Sequence, residues 1–162
     1  PRHHRVRPRR RRQDARQDRE STGKGYLAMG DSASAQKELL RAARLGVPKQ
    51  AWLISLAQAM AMQGDWQGII EHIVPDQSMP PADQATAQAL RGNAYLALQQ
   101  AEQAVAAFDQ ALGFEPRNPL ARLGKIKLLL ADQQLDQVLP QLDLILEEYP
   151  KHTETRLVRG EL

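Results

Sequence analysis

Four histidines, a glycine–lysine run and a pair of adjacent glutamates are the residues whose types could do chemistry in this chain. His3 and His4 adjoin arginines, while His72 and His152 stand alone, and no HExxH or comparable spacing aims two ring nitrogens at one ion. They read as surface and tail histidines, and no metal ligand is assigned. Ser21-Thr22-Gly23-Lys24-Gly25 has the flavour of a phosphate loop. It lacks the GxxxxGK[ST] frame, and no buried strand precedes it. Asp143 and Glu147-Glu148 fall late in an amphipathic stretch, where a charge run marks a solvated helix face rather than an acid–base pair. General acid–base or nucleophilic catalysis needs convergent polar groups, and none is legible. The chain is therefore expected not to be an enzyme, with no catalytic residue and no cofactor.

The elements that would carry such side chains explain why. Gly30 and Gly64 are 34 residues apart, as are Pro116 and Pro150, and Arg91-Gly92 returns as Arg159-Gly160 after 68. Between Met60 and Tyr95 the step is 35, one residue more than the period. Aligned on this interval, the repeats cover about 16–49, 50–84, 85–118 and 119–152, with a partial fifth over 153–162. Alanine and leucine dominate a 42% apolar fraction and only 4% of residues are aromatic, which favours helix over sheet.

The third repeat shows the pattern most clearly. Leu90, Gly92, Ala94, Tyr95 and Leu98 lie on its first helix, and Ala104, Ala107, Phe108, Ala111 and Leu112 on its second, before Pro116. Spacings of three and four put Ala104, Phe108, Ala111 and Leu112 on one face. The small residues allow close helix approach and Tyr95 and Phe108 fill the wider gaps. Corresponding positions are Gly23, Tyr26, Ala35, Leu39 and Ala42 in the first repeat, Ala57, Met60, Ile69 and Ile73 in the second, and Ile126, Leu129, Val138, Leu142 and Ile145 in the fourth. Gly30-Asp31 and Gly64-Asp65 are read as turns, and Asn118-Pro119 as an N-cap followed by proline at the first helical position. Three prolines between Val74 and Pro81 predict a shortened second helix in the second repeat, and Pro140 predicts a kink.

The period, and the order of Gly92, Tyr95, Ala104, Phe108, Ala111 and Pro116, resemble the tetratricopeptide repeat consensus. The resemblance implies an all-α fold: a right-handed α-α superhelix of about four helical hairpins plus the start of a fifth. Such an array presents a curved surface for binding other molecules. First-helix residues that do not pack face its concave side. The ninth positions form a row of Lys24, Gln58, Asn93 and Lys127, flanked by Ile54, Met62, Leu96, Leu123 and Leu130. These nine residues are the expected partner-binding groove, suited to a protein or peptide segment with apolar anchors. Chaperone-binding relatives hold a C-terminal carboxylate with a lysine and asparagine clamp. Here the fifth positions are Glu20, Ile54, Ala89 and Leu123, so that clamp is incomplete.

The runs GYLAMGDSASAQKELLRAARLGVP and ALRGNAYLALQQAEQAVAAFDQALGFEPRNPLARLG further resemble the tetratricopeptide lipoproteins of bacterial exosortase (PEP-CTERM) and exopolysaccharide systems. The likeness runs from about Gly23 to Leu162 and implies an exported, lipid-anchored scaffold, periplasmic or envelope-associated, with a cytoplasmic home left open. Residues 1–15 depart from that pattern.

Nine arginines against Asp14, Asp18 and Glu20 give residues 1–20 a charge of +6, so the other 142 residues sum to −3 within the net +3. Residues 1–15 are expected to be a disordered, self-repelling arm ahead of a single array over 16–162. The alternative function is nucleic-acid or anionic-surface binding through this arm, strongly dependent on salt. No aromatic side chain is interleaved to stack on bases, which argues against nucleic acid. Zero cysteines exclude a disulfide framework without deciding the compartment, and no apolar run approaches the roughly 20 residues of a membrane span. Leu157, Val158 and Leu162 in the unfinished repeat are expected to be exposed and to promote self-association.

Overall fold

In the computed structural model, which describes residues 8–160, the backbone forms nine helices and no strand among those residues. They are α1 (Pro8–Ala28), α2 (Ser32–Arg44), α3 (Lys49–Met62), α4 (Trp66–His72), α5 (Pro81–Ala97), α6 (Ala101–Phe114), α7 (Pro119–Ala131), α8 (Leu135–Glu148) and α9 (Thr153–Gly160). Odd-numbered helices pack on one another in sequence from α1 to α7. Each even-numbered helix packs on its own partner and on the next odd helix. The result is an inner layer of first helices and an outer layer of second helices, the all-α superhelix that the 34-residue period predicts.

One turn chemistry recurs between the helices of all four hairpins. Gly30, Gly64, Gln99 and Gln133 occupy the same repeat position and all have positive φ, at 79°, 70°, 60° and 59°. Each donates its N–H to the carbonyl three residues back, and the next residue donates to the carbonyl five back, as in Asp31 to Tyr26 (2.9 Å) and Gln100 to Tyr95 (2.8 Å). This double bond closes the C-terminus of each first helix. Glycine fits the left-handed position without strain, whereas glutamine there carries a steric penalty. Asp31 and Asp65 then cap the following helix through Ser34 N–H (3.0 Å) and Gly68 N–H (2.9 Å). Gln100 and Gln134 make no such cap.

The core falls into three buried clusters along the array. Leu39, Leu53, Leu56, Met60, Ile69 and Ile73 join the first hairpins to Ala87 and Ala94 of α5. Phe108 gathers Ala89, Ala104, Ala111 and Ala121, while Leu123, Ile126, Val138, Leu142 and Ile145 fill the fourth hairpin. Because α4 ends at His72, Met79 from the proline-rich loop enters the space a longer helix would fill and is 2% exposed. Arg91 completes this junction by donating to the carbonyls of Ile70 and Ile73, both at 2.9 Å, where α4 leaves them without helical partners. Its guanidinium also stands 5.9 Å from the Tyr95 ring centre.

The described residues bear on three of these expectations. The arm anticipated over 1–15 is helical from Pro8, in line with the high helix propensity of arginine; His3 and His4 lie outside the described residues. Arg19 anchors α1 to α2 by pairing with Glu38, which Arg41 also holds, at 2.8 and 2.7 Å. Burial raises the Glu38 pKa, but the two guanidiniums outweigh it and hold the carboxylate below its usual value. Helix α8 runs unbroken through Pro140, whose exposed position in the second turn leaves the freed carbonyl side open to water. In α9, Leu157 is 61% exposed, but Val158 is half-buried against the fourth-hairpin cluster; Leu162 is outside the described residues.

The other chemistry-bearing residues serve the scaffold. Ser21 to Gly25 lie inside α1 rather than in a loop. His152 Nδ1 accepts from Thr155 N–H at the start of α9 (3.3 Å), and His72 is exposed at the end of α4. Asp143 pairs with Arg159 and Glu148 with Arg122, both at 2.8 Å, each tie joining neighbouring helices of the array.

Candidate binding groove

The inner layer encloses a groove of about 600 Å³ lined by Ala61 of α3, Trp66 at the start of α4, Leu90, Asn93, Leu96 and Ala97 of α5, Leu120 and Lys127 of α7, and Glu154 of α9. The array's register builds it. Asn93 and Lys127 hold the ninth positions of successive repeats, and Leu120 and Glu154 the second positions of the repeats that follow. Asn93 and Leu120, 27 residues apart, line the groove together, and Lys127 meets Glu154 at the same interval.

Of the nine residues expected in the groove, Asn93, Leu96 and Lys127 come together there. Lys127 is not free: its ammonium donates to the Glu154 carboxylate. Lys24 is bound to Glu20 on its own helix at 2.7 Å. Gln58 and Met62 are exposed on α3 and Ile54 is half-buried there, outside the groove lining. Leu130 is half-buried against the fourth-hairpin cluster. Leu123 is overturned as a groove residue, because it is fully buried. It lies three residues before Ile126 on the face that α7 turns toward α8, so helical geometry directs it into the core.

Trp66 is the residue that pattern reading missed. At its repeat position the other hairpins carry Ser32, Ala101 and Leu135, so an indole there is out of keeping with its equivalents. It is half-buried at the first position of α4, with one side on the core and the other on the groove. Large amphipathic side chains in such settings dominate binding energetics at protein interfaces. Among the described residues there is no helix long and apolar enough to cross a membrane and no group of three acidic, histidine or cysteine side chains placed to hold a metal ion.

Residues 21–68 and residues 95–161 each match a family model described as Tetratricopeptide repeat. The chain is built of tetratricopeptide repeats. Its fold is similar to the crystal structure of a thermophilic TPR protein in Thermus thermophilus, at a TM-score of 0.55 and 20% identity, covering 90% of this chain and 97% of that one. No curated protein is matched by sequence. Tetratricopeptide repeats generally mediate protein–protein interaction, and the family typically supplies non-catalytic scaffolds.

Proposed function

We propose that the chain is a non-catalytic scaffold that binds a peptide or protein segment along the inner face of its tetratricopeptide array. The observation that carries this reading is the groove shared by α3, α5, α7, α9 and the start of α4, in which Trp66, Leu90, Leu96 and Leu120 offer apolar contacts beside the Asn93 carboxamide. An extended or helical segment can seat apolar side chains on the former and satisfy a backbone group with the latter.

The system in which it works is proposed as a bacterial envelope pathway for exopolysaccharide production or protein sorting, with a periplasmic or envelope location. Support comes from the likeness of the runs after Gly23 to the lipoproteins of such systems. A photo-crosslinking residue at Leu96, and separately at the outer-face residue Val105, tests both parts in cells of the source organism. Crosslinks to an envelope protein from Leu96 alone are expected. Equal crosslinking from Val105 would refute the inner face as the binding surface, and an exclusively cytoplasmic partner would refute the envelope assignment.

A further inference from the structure

We propose that the groove selects an uncharged apolar segment and discriminates against a carboxylate-bearing one; this deepens the inner-face reading and rests on it. Among the described residues, only two charged side chains line the groove, Lys127 and Glu154. They are paired with each other, so the site presents no net charge. A ligand carboxylate arriving at Lys127 would have to displace Glu154, exchanging one carboxylate for another. Both would then share a single ammonium, and like-charge repulsion removes the gain. A ligand cation meets the mirror situation at Glu154, with Lys127 beside it.

The rest of the lining rewards a neutral guest. Ala61, Leu90, Leu96, Ala97 and Leu120 are apolar, and the Trp66 indole adds a broad face. Asn93 supplies a donor and an acceptor, which suit a peptide backbone regardless of side-chain charge. Placing a charge against this lining would desolvate it without a free partner. Recognition here is by shape, apolar area and one amide, and it is predicted to be insensitive to salt.

Register sets this junction apart from its equivalents. By register the ninth positions Lys24, Gln58 and Asn93 correspond to the second positions Ala51, Thr86 and Leu120, and only Lys127 corresponds to an opposite charge; Lys24 pairs instead with Glu20 on its own helix. A lysine that looks in sequence like a carboxylate receptor is thus neutralised by the helix that follows it.

The test is selection from a random peptide library displayed on phage against the full chain, followed by affinity measurements on the selected peptides made synthetically. Uncharged apolar peptides are expected, with affinity changing less than about twofold between about 0.05 and 0.5 M salt. Trp66→Ala should weaken them at least about 30-fold. Placing an aspartate in the peptide should weaken binding to the wild type, and Glu154→Gln, a surface change that leaves the core intact, should restore about fivefold by freeing Lys127. Selected peptides that carry carboxylates, weaken with salt and lose affinity in Lys127→Ala while still depending on Trp66 would overturn the charge selectivity and leave the inner-face reading standing. Peptides indifferent to both Trp66→Ala and Leu96→Ser would overturn the inner-face reading itself, and a library that yields no binder counts against both.

Discussion

The Phe108 ring lies against Gly124 of the next hairpin so closely that a Cβ on that glycine would collide with ring carbons Cε1 and Cζ. Gly92 of the same hairpin also borders the ring, and a Cβ there would stand 2.5 Å from Cε1. One aromatic side chain thus fixes the spacing of α5, α6 and α7, the three helices around the middle of the array, with no room for a methyl group at either glycine.

Gly92→Ala and Gly124→Ala are each expected to destabilise the array by about 1–3 kcal/mol through overpacking, and Phe108→Ala by about 3–5 kcal/mol through the cavity it leaves. The effects are coupled because they share one ring. In a Phe108→Leu background Gly124→Ala should cost less than in the wild type, and urea unfolding of the wild type, both single variants and the double variant measures the difference. Equal costs in both backgrounds would show that the contact does not set the spacing.

Gln99 and Gln133 hold the left-handed turn position that Gly30 and Gly64 hold in the first two hairpins. Gln99→Gly and Gln133→Gly are each expected to stabilise by about 0.5–1 kcal/mol, since relief of the steric penalty exceeds glycine's added chain entropy. Following them with Gln100→Asp and Gln134→Asp should add about 0.5–1 kcal/mol each by supplying the caps that Asp31 and Asp65 provide elsewhere. Thermal unfolding that moved downward in the glycine variants would contradict the turn assignment.

The hairpin turns at Gly30 and Gly64, the cap at Asn118, the short α4 and the buried stripe through Ala104 and Phe108 were all legible in the sequence, because each follows from local chemistry repeated at a fixed interval. What escaped depends on contacts between repeats. Gly124 has no special place in its own helix until Phe108, sixteen residues earlier, meets it. Leu123 sits at a position that is half-buried as Ile54 and fully buried as Ala89, so the alignment could not decide its side. The Lys127–Glu154 pair spans two repeats, and neither residue announces the other. Trp66 stands where a second helix begins, a place the concave-face rule for first helices does not search.

Lys49 at the start of α3 clasps the proline-rich loop by donating to Asp76 and to the Val74 carbonyl, the latter at 3.2 Å. The Lys49 ammonium, followed by the Ser78 donors, lowers the Asp76 pKa from 3.8 to about 2. A carboxylate with a depressed folded-state pKa stabilises the fold above its unfolded value and loses that contribution as the pH falls through the folded one. The melting temperature of Asp76→Asn should therefore lie below that of the wild type above pH 3.8 and converge with it as the pH approaches about 2. A constant gap across that window would show that the loop is held by something other than this charge.

The claim that the inner face binds and the outer face does not is tested most directly by residue-level NMR shifts on titrating the full chain with a selected peptide. Perturbations concentrated at the Trp66 indole, Asn93, Leu96 and Leu120, with α6 and α8 quiet on their outer sides, are the predicted result. Shifts centred instead on Val105, Gln137 and Gln141, with the Trp66 indole unmoved, would contradict it.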